Sequence, residues 1–316
     1  MSPKIPDALK ADLPQTNLGK IIAALPIIMT VIATLLAGLS SSEMVKAQYD
    51  RSLAAQIQSK AGDQWNYFQA KRLRAALQRN TLDILRSQAT VRPLDATTLA
   101  ARFAGTPAGL LLTSPHGNQI VNALTGGAVS YTGASAKIGN PSIAAAIVMV
   151  GEGKSDAEIA RALTAIKDAE LAAELRNAAD EVRLLDADIK PITTSIDSME
   201  TELSRGSGTD NHGVDAFSRE FAFARISFSA KRYELESRQN QVIAELYELQ
   251  VRKSNVSAER HHRRSAQFFY GMLVAQMAVI GATLSMARKH GSGLWKAAAV
   301  AGVLALAFAI YVYFFV

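Results

Sequence analysis

The chain has 316 residues, 49% of them hydrophobic and 20% charged, with a formal net charge of +6 and no cysteine. The missing thiols exclude disulfides, a lipid-bearing cysteine, thiol catalysis and Cys-type zinc sites. The averages are those of a soluble chain, but the apolar residues are concentrated in three runs without a single charge, at 21–39, 268–287 and 297–316. Each has about the 20 residues that a helix needs to cross the hydrocarbon of a bilayer. The sequence therefore predicts an all-α membrane protein with three transmembrane helices and a long coiled-coil helical hairpin between the first and second.

In chain order, residues 1–20 form an N-terminal tail carrying Lys4, Lys10 and Lys20, and residues 21–39 form the first transmembrane helix, with Pro26 bending it. A cleaved signal peptide is the competing reading. The run is longer than a usual signal core, follows a polar tail and lacks an A-x-A site, so it reads as a retained anchor. Residues 40–90 predict a long amphipathic helix with Ile57, Ala61, Trp65, Phe68, Leu73 and Leu77 at helical spacing, ended at the latest by Arg92-Pro93. Within it lies "DQWNYFQAK", 63–71. Asp63, Tyr67 and Lys71 share one face, Trp65 and Phe68 another, and Gln64 and Gln69 are placed to bridge neighbours. This segment is a candidate partner surface or, alternatively, a core contact with the later helices.

Residues 91–154 change character, with Pro93, Pro107, Pro115 and Pro141 and many glycines, and predict a small helical insert with a hairpin or disordered patch near 124–139. Its end, "AAAIVMVGEGKSDAEIA", imitates a nucleotide-binding loop. The phosphate cradle needs G-x-x-x-x-G-K-[ST], and Val148 stands where its first glycine belongs. Asn140-Pro141 reads instead as a helix start, Gly151 and Gly153 as its stop, and Ser155 with Glu158 as a capping box opening the next helix.

Residues 155–265 predict an antiparallel coiled-coil hairpin. Val182, Leu185, Ile189, Ile192, Ile196, Met199 and Leu203 alternate steps of three and four, with a kink or helix boundary expected at Pro191. The polar stretch 205–213 supplies the reversal. Phe221, Phe228, Leu235, Val242, Leu249 and Val256 then recur every seven residues, while Lys231, Arg238 and Glu245 compromise the other seam position. With no breaker before residue 287, the returning helix is expected to continue into the second transmembrane helix, 266–287. The third, 297–316, carries Ala298, Gly302, Ala305 and Ala309 on one face for close helix packing.

The segments "AGDQWNYFQAKRLR" and "AERHHRRSAQFFYGMLVAQMAVIGATLSMARKHGSGLWKAAAVAGVLALAFA" resemble a bacterial family of uncharacterised small membrane proteins, a domain of unknown function. That family is similar in layout: one membrane helix, a D-Q-W-x-[YF]-[YF]-Q-A-K segment, a charged helical middle, a basic His-rich stretch and two closing membrane helices. The resemblance implies topology and no activity.

The excess positive charge is juxtamembrane. Arg260, Arg263 and Arg264 precede the second span, and Arg288 and Lys289 lie in the turn after it, so anionic lipid headgroups are the expected partner rather than nucleic acid. His261-His262 sits in that collar. Adjacent helical residues point about 100° apart, so the pair is a poor metal site. No catalytic constellation, cofactor motif or metal site is expected. The short basic segments, Lys4 to Lys20 and Arg288 to Lys296, are expected on the cytoplasmic side, so that the soluble domain is periplasmic and the protein multi-pass in a bacterial inner membrane. The function expected is a membrane-anchored coiled-coil scaffold or accessory subunit, acting through a protein partner or self-association. The alternative is an oligomeric transporter or channel component gated by the coiled coil; the lack of charge within the spans argues against it.

Overall fold

A computed structural model describes residues 17–88, 90, 92–126, 137–206, 216–287 and 293–315. Among the described residues all the regular structure is helical, with no strand. The helices are α1 (Asn17–Gln88), α2 (Ala96–Arg102), α3 (Pro107–Leu112), α4 (Gly117–Thr125), α5 (Pro141–Gly151), α6 (Asp156–Ala165), α7 (Asp168–Gly206), α8 (Ala216–Ala287) and α9 (Leu294–Phe315). The N-terminal tail, the patch at 127–136, the turn at 207–215 and the basic residues Arg288 and Lys289 lie outside the described residues. Helices α1, α8 and α9 each hold a stretch long and apolar enough to cross a membrane.

The contacts divide the chain into two units. The first, Met1–Ala54 with Ser254–Val316, holds the three apolar stretches. Its core is rich in alanine, with a few larger side chains between. One cluster joins Ala33 and Leu36 of α1, Phe268 and Ala275 of α8, and Ala305, Ala309 and Val312 of α9. Another joins Leu25 and Met29, Ala278 and Ala282, and Ala298. Pro26 does not interrupt α1. The Thr30 hydroxyl donates to the Pro26 carbonyl at 2.8 Å, and the Thr34 hydroxyl to that of Thr30 at 2.9 Å, so the polar groups of this turn are satisfied within the helix.

The second unit, Ala55–Lys253, is built on α7 and α8. The C-terminal half of α7 (Leu185, Ile189, Ile192, Ile196, Met199) shares a core with the start of α8 (Phe217, Phe221, Ala224, Phe228) and with Leu99, Phe103, Ala108 and Ile120 from the α2–α4 region. The N-terminal half of α7 (Leu171, Ala178) shares a second core with Ile243, Leu246 and Leu249 of α8 and with Ile143, Ala146, Ile159 and Leu163 of α5 and α6. Polar pairs follow the same order: Arg225 with Glu200 at 2.8 Å, Arg232 with Thr193 at 3.0 Å, Lys253 with Asp168 at 2.6 Å.

Two expectations are corrected here. Pro191 marks no helix boundary, because α7 runs through it unbroken. The turn around it is tied by hydroxyl bonds: Thr193 donates to the Ile189 carbonyl, Thr194 to that of Lys190 and Ser195 to that of Pro191. The apolar residues of α1 also do not form one face. Ala61, Ala75 and Leu82 are buried, whereas Leu73 and Leu77 are 63% and 55% exposed, about 200° around the helix from Ala75.

The short helices start where the local chemistry says they should. Asp95 caps α2, its carboxylate accepting from the backbone N–H groups of Thr97 and Thr98 and from both hydroxyls. Hydrogen bonds from Thr97 and then Thr98 hold that carboxyl well below the usual range. Asn140 caps α5, with Pro141 in the first turn. The α5 exit explains the resemblance to a nucleotide loop. Gly151 is the last helical residue, and Gly153 takes a left-handed φ of 66°. The Gly153 N–H donates to the Val150 carbonyl and the Lys154 N–H to that of Met149, which is a Schellman stop. Ser155 then donates from its N–H and its hydroxyl to Glu158, opening α6.

Candidate functional site

In the second unit, the D-Q-W segment divides among three environments. Asp63 and Gln69 are exposed, and so is Tyr67. Gln64 is half-buried with its side-chain oxygen enclosed and without a hydrogen-bond partner. Trp65 and Phe68 are half-buried and meet edge to face, with ring centroids 5.5 Å apart. Trp65 lines a cavity of about 120 Å³ together with Ile147, Val150, Leu249, Glu245 and Glu248. Phe68 lines a separate open groove of about 630 Å³ with Arg72, Arg79, Asp83 and Arg238. Lys71 is tied to Glu236 and lies 5.4 Å from the Tyr233 ring centre. Asp63, Tyr67 and Lys71 therefore do not act as one surface: the first two face solvent and Lys71 joins α1 to α8. Arg79 with Glu234 and Arg74 near Tyr233 add to that joint.

In the first unit, an acidic residue that the sequence gives little reason to single out is held by two side chains. Glu43, 8% exposed, receives Lys46 at 2.7 Å and His261 Nδ1 at 2.6 Å. Burial alone raises its pKa, but hydrogen bonds from Lys46 and His261, with their charges, outweigh it and leave the carboxyl below its ordinary value. One turn earlier the Ser40 hydroxyl donates to the Ser265 carbonyl at 2.9 Å, and the Ser265 hydroxyl to the Ser40 carbonyl at 2.8 Å. These two pairs clasp α1 to α8 at the ends of their apolar stretches. A hint of Glu43 was present in the sequence, as an acid three residues before a lysine just past an apolar run. Its partner lies 218 residues away, and no local pattern joins them.

The expected lipid collar is mixed. Arg263 is exposed and paired with Glu259 at 2.9 Å, whose carboxyl that bond holds low. Arg264 is half-buried with an enclosed Nε that has no partner, and Arg260 is exposed. His261 has turned from that collar to Glu43. Among the described residues no group of three metal-capable side chains occurs.

The small residues of α9 are turned inward. Ala298, Gly302, Ala305 and Ala309 are all buried, and a methyl group added at Gly302 would collide with the thioether of Met29. Their close-packing face is occupied by this chain's own helices.

Residues 17–106 match the model of a family described as a domain of unknown function, DUF4337. The matched segment takes in α1, the D-Q-W residues and α2, and stops before α3. No curated protein and no solved structure matches the chain.

Proposed function

We propose that the protein is a membrane-anchored scaffold, or an accessory subunit of a larger bacterial membrane assembly, with no catalytic activity of its own. The observation that carries this reading is the continuity of α1 and α8. Each is 72 residues long and runs without a break from an apolar stretch of membrane-crossing length into a charged helical segment. Such a helix transmits position and presents surface, and it supplies no enclosed polar site for chemistry. An antiparallel coiled-coil hairpin of α7 and α8 belongs to the reading. It is supported by the pairs Glu200–Arg225, Thr193–Arg232 and Asp168–Lys253, whose partners descend along α7 as they ascend along α8.

The channel alternative is weakened by the polar groups of the apolar stretches. Thr30, Thr34 and Thr283 donate to their own helices, and Gln276 is exposed on the outside of the bundle. Arg260, Arg263, Arg264, Arg288 and Lys289 are assigned to lipid headgroups, and the helical domain to the periplasmic side of an inner membrane. A photo-reactive residue at exposed Gln69 tests the scaffold reading in native membranes. The expected result is a covalent adduct to one membrane protein in constant proportion; adducts to lipid or scattered proteins alone overturn it. A single cysteine at Ser207, outside the described residues, tests the sidedness in a chain with no other thiol. Labelling by an impermeant maleimide in intact spheroplasts is expected, and labelling only after lysis reverses the orientation.

A further inference from the structure

We propose that α1 pairs with the α1 of a second copy of this chain, parallel and in register, along Ala70, Leu73, Leu77, Asn80 and Ile84. The proposal deepens the scaffold reading by naming one partner, and rests on it for the membrane anchor. Leu73, Leu77 and Ile84 are 63%, 55% and 54% exposed, and Ala70 and Asn80 are exposed with them. The five positions advance by three, four, three and four residues, which is the seam of a two-stranded coiled coil. The opposite face of the same helix, with Ala61, Ala75 and Leu82, is already buried within the chain. A helix that covers only its own domain needs one apolar stripe, and this one carries two.

Asn80 selects the occupant. An amide in an apolar seam is satisfied by the same amide of an in-register copy, donor to acceptor, and is stranded against a leucine or a lipid tail. In an antiparallel pair centred on this seam Asn80 would face Leu77; in the parallel pair it faces itself. The flanking positions agree. Parallel register sets Gln69 beside Arg74, Ala76 beside Thr81 and Asp83 beside Gln88 of the second copy, with no like charges opposed. The anchor enforces the direction, because α1 also carries the first apolar stretch and two copies inserted the same way present it in parallel. Confinement to one bilayer removes much of the orientational loss that so short a seam could not offset in solution.

The test uses the full chain in native membranes and in vesicles at high lipid-to-protein ratio. Asn80→Cys introduces the only thiol, at a position where the seam brings two α-carbons within disulfide reach. Arg86→Cys, exposed but on the side of the helix opposite the seam, where it lies 5.2 Å from the Phe223 ring centre, is the control. Mild oxidation is expected to convert most of the Asn80→Cys chain to a species of doubled mass and to leave Arg86→Cys single. Adding Leu77→Glu should abolish the doubled species with the helical circular dichroism unchanged, since Leu77 is 55% exposed in the fold. A single Asn80→Cys species, equal cross-linking of both variants, or insensitivity to Leu77→Glu overturns the proposal. If Asn80→Cys stays single while the Gln69 probe still attaches one membrane protein, self-pairing fails and the scaffold reading stands. Doubled Asn80→Cys with no foreign adduct supports self-pairing and removes the accessory-subunit reading.

Discussion

The two units of the chain solve the packing problem with opposite residues. Where the three apolar stretches meet, the commonest buried residue is alanine, at Ala33, Ala275, Ala278, Ala282, Ala298, Ala305 and Ala309, set among Leu25, Met29, Leu36, Phe268 and Val312. In the helical unit they are Phe103, Phe221, Phe228, Leu185, Ile189, Ile192 and their neighbours. Lipid is as apolar as leucine, so burying a large side chain between membrane helices gains little, and close backbone approach through small residues gains more. Water reverses that balance, because each large apolar side chain withdrawn from it contributes about 1.5–3 kcal/mol.

The contrast is broken most sharply by cutting a large residue from the helical unit. Phe228 is 1% exposed between α7 and α8, and Phe228→Ala should cost about 3–5 kcal/mol, through lost transfer energy and the cavity left behind. Chemical denaturation of the detergent-solubilised protein, followed by circular dichroism, measures it; a loss under 1 kcal/mol would mean that the aromatic core is not what holds this unit. The converse change enlarges a small residue in the membrane unit. Gly302→Leu must displace Met29, itself 4% exposed, and should cost about 1–3 kcal/mol by overpacking although it adds apolar surface. A shortened half-life in detergent is the expected readout. An unchanged half-life would show that close approach at Gly302 contributes nothing.

How much of this could be read from the residues depends on the range of the interaction. Helical content and three membrane-length runs were legible, because length and apolar composition fix both locally. So were the starts of α5 and α6, since Asn140-Pro141 and Ser155 with Glu158 act over one turn. Pro191 does not end its helix, the second of the two outcomes expected of it, because α7 is held on both sides of the proline by contacts with α8. Leu73 and Leu77 misled: they are as apolar as a core residue, and the positions that α1 actually buries are the smaller Ala61 and Ala75. Hydrophobicity marks candidates, and only the partner decides which of two stripes is inside. The role of Glu43 was not legible for a related reason, since its partner His261 lies 218 residues away in the basic collar.

Two carboxylates extend the comparison to charge. Glu43 is enclosed in the first unit between Lys46 and His261, whose hydrogen bonds outweigh its burial and lower its pKa. Its contribution is complete above the ordinary carboxylate range and fades as the pH falls through the folded-state value. Glu43→Gln should remove charge-assisted bonds to Lys46 and His261 at a cost of about 1.5 kcal/mol at neutral pH. The difference from the parent should vanish in acid, and a pH-independent difference would point to shape rather than charge.

Glu245 in the helical unit is the reverse case and gives the smallest expected effect. Burial raises its pKa, the hydrogen bond from Gln241 opposes that, and the neighbouring charge of Glu248 adds to the rise. A group with a raised carboxyl pKa contributes its stability at low pH and loses it as the pH climbs through the folded value, so at neutrality Glu245 is a liability. Glu245→Gln keeps the size and the capacity to bond Gln241 while removing the charge beside Glu248. It should stabilise the unit by about 0.5 kcal/mol at neutral pH, a small figure because the side chain is only half-buried and solvent screens it. The gain should disappear when the midpoint of unfolding is measured in acid, where the parent carboxyl is protonated too. Destabilisation at neutral pH would instead mean that the folded unit favours the Glu245 charge, against the direction in which burial pushes its pKa.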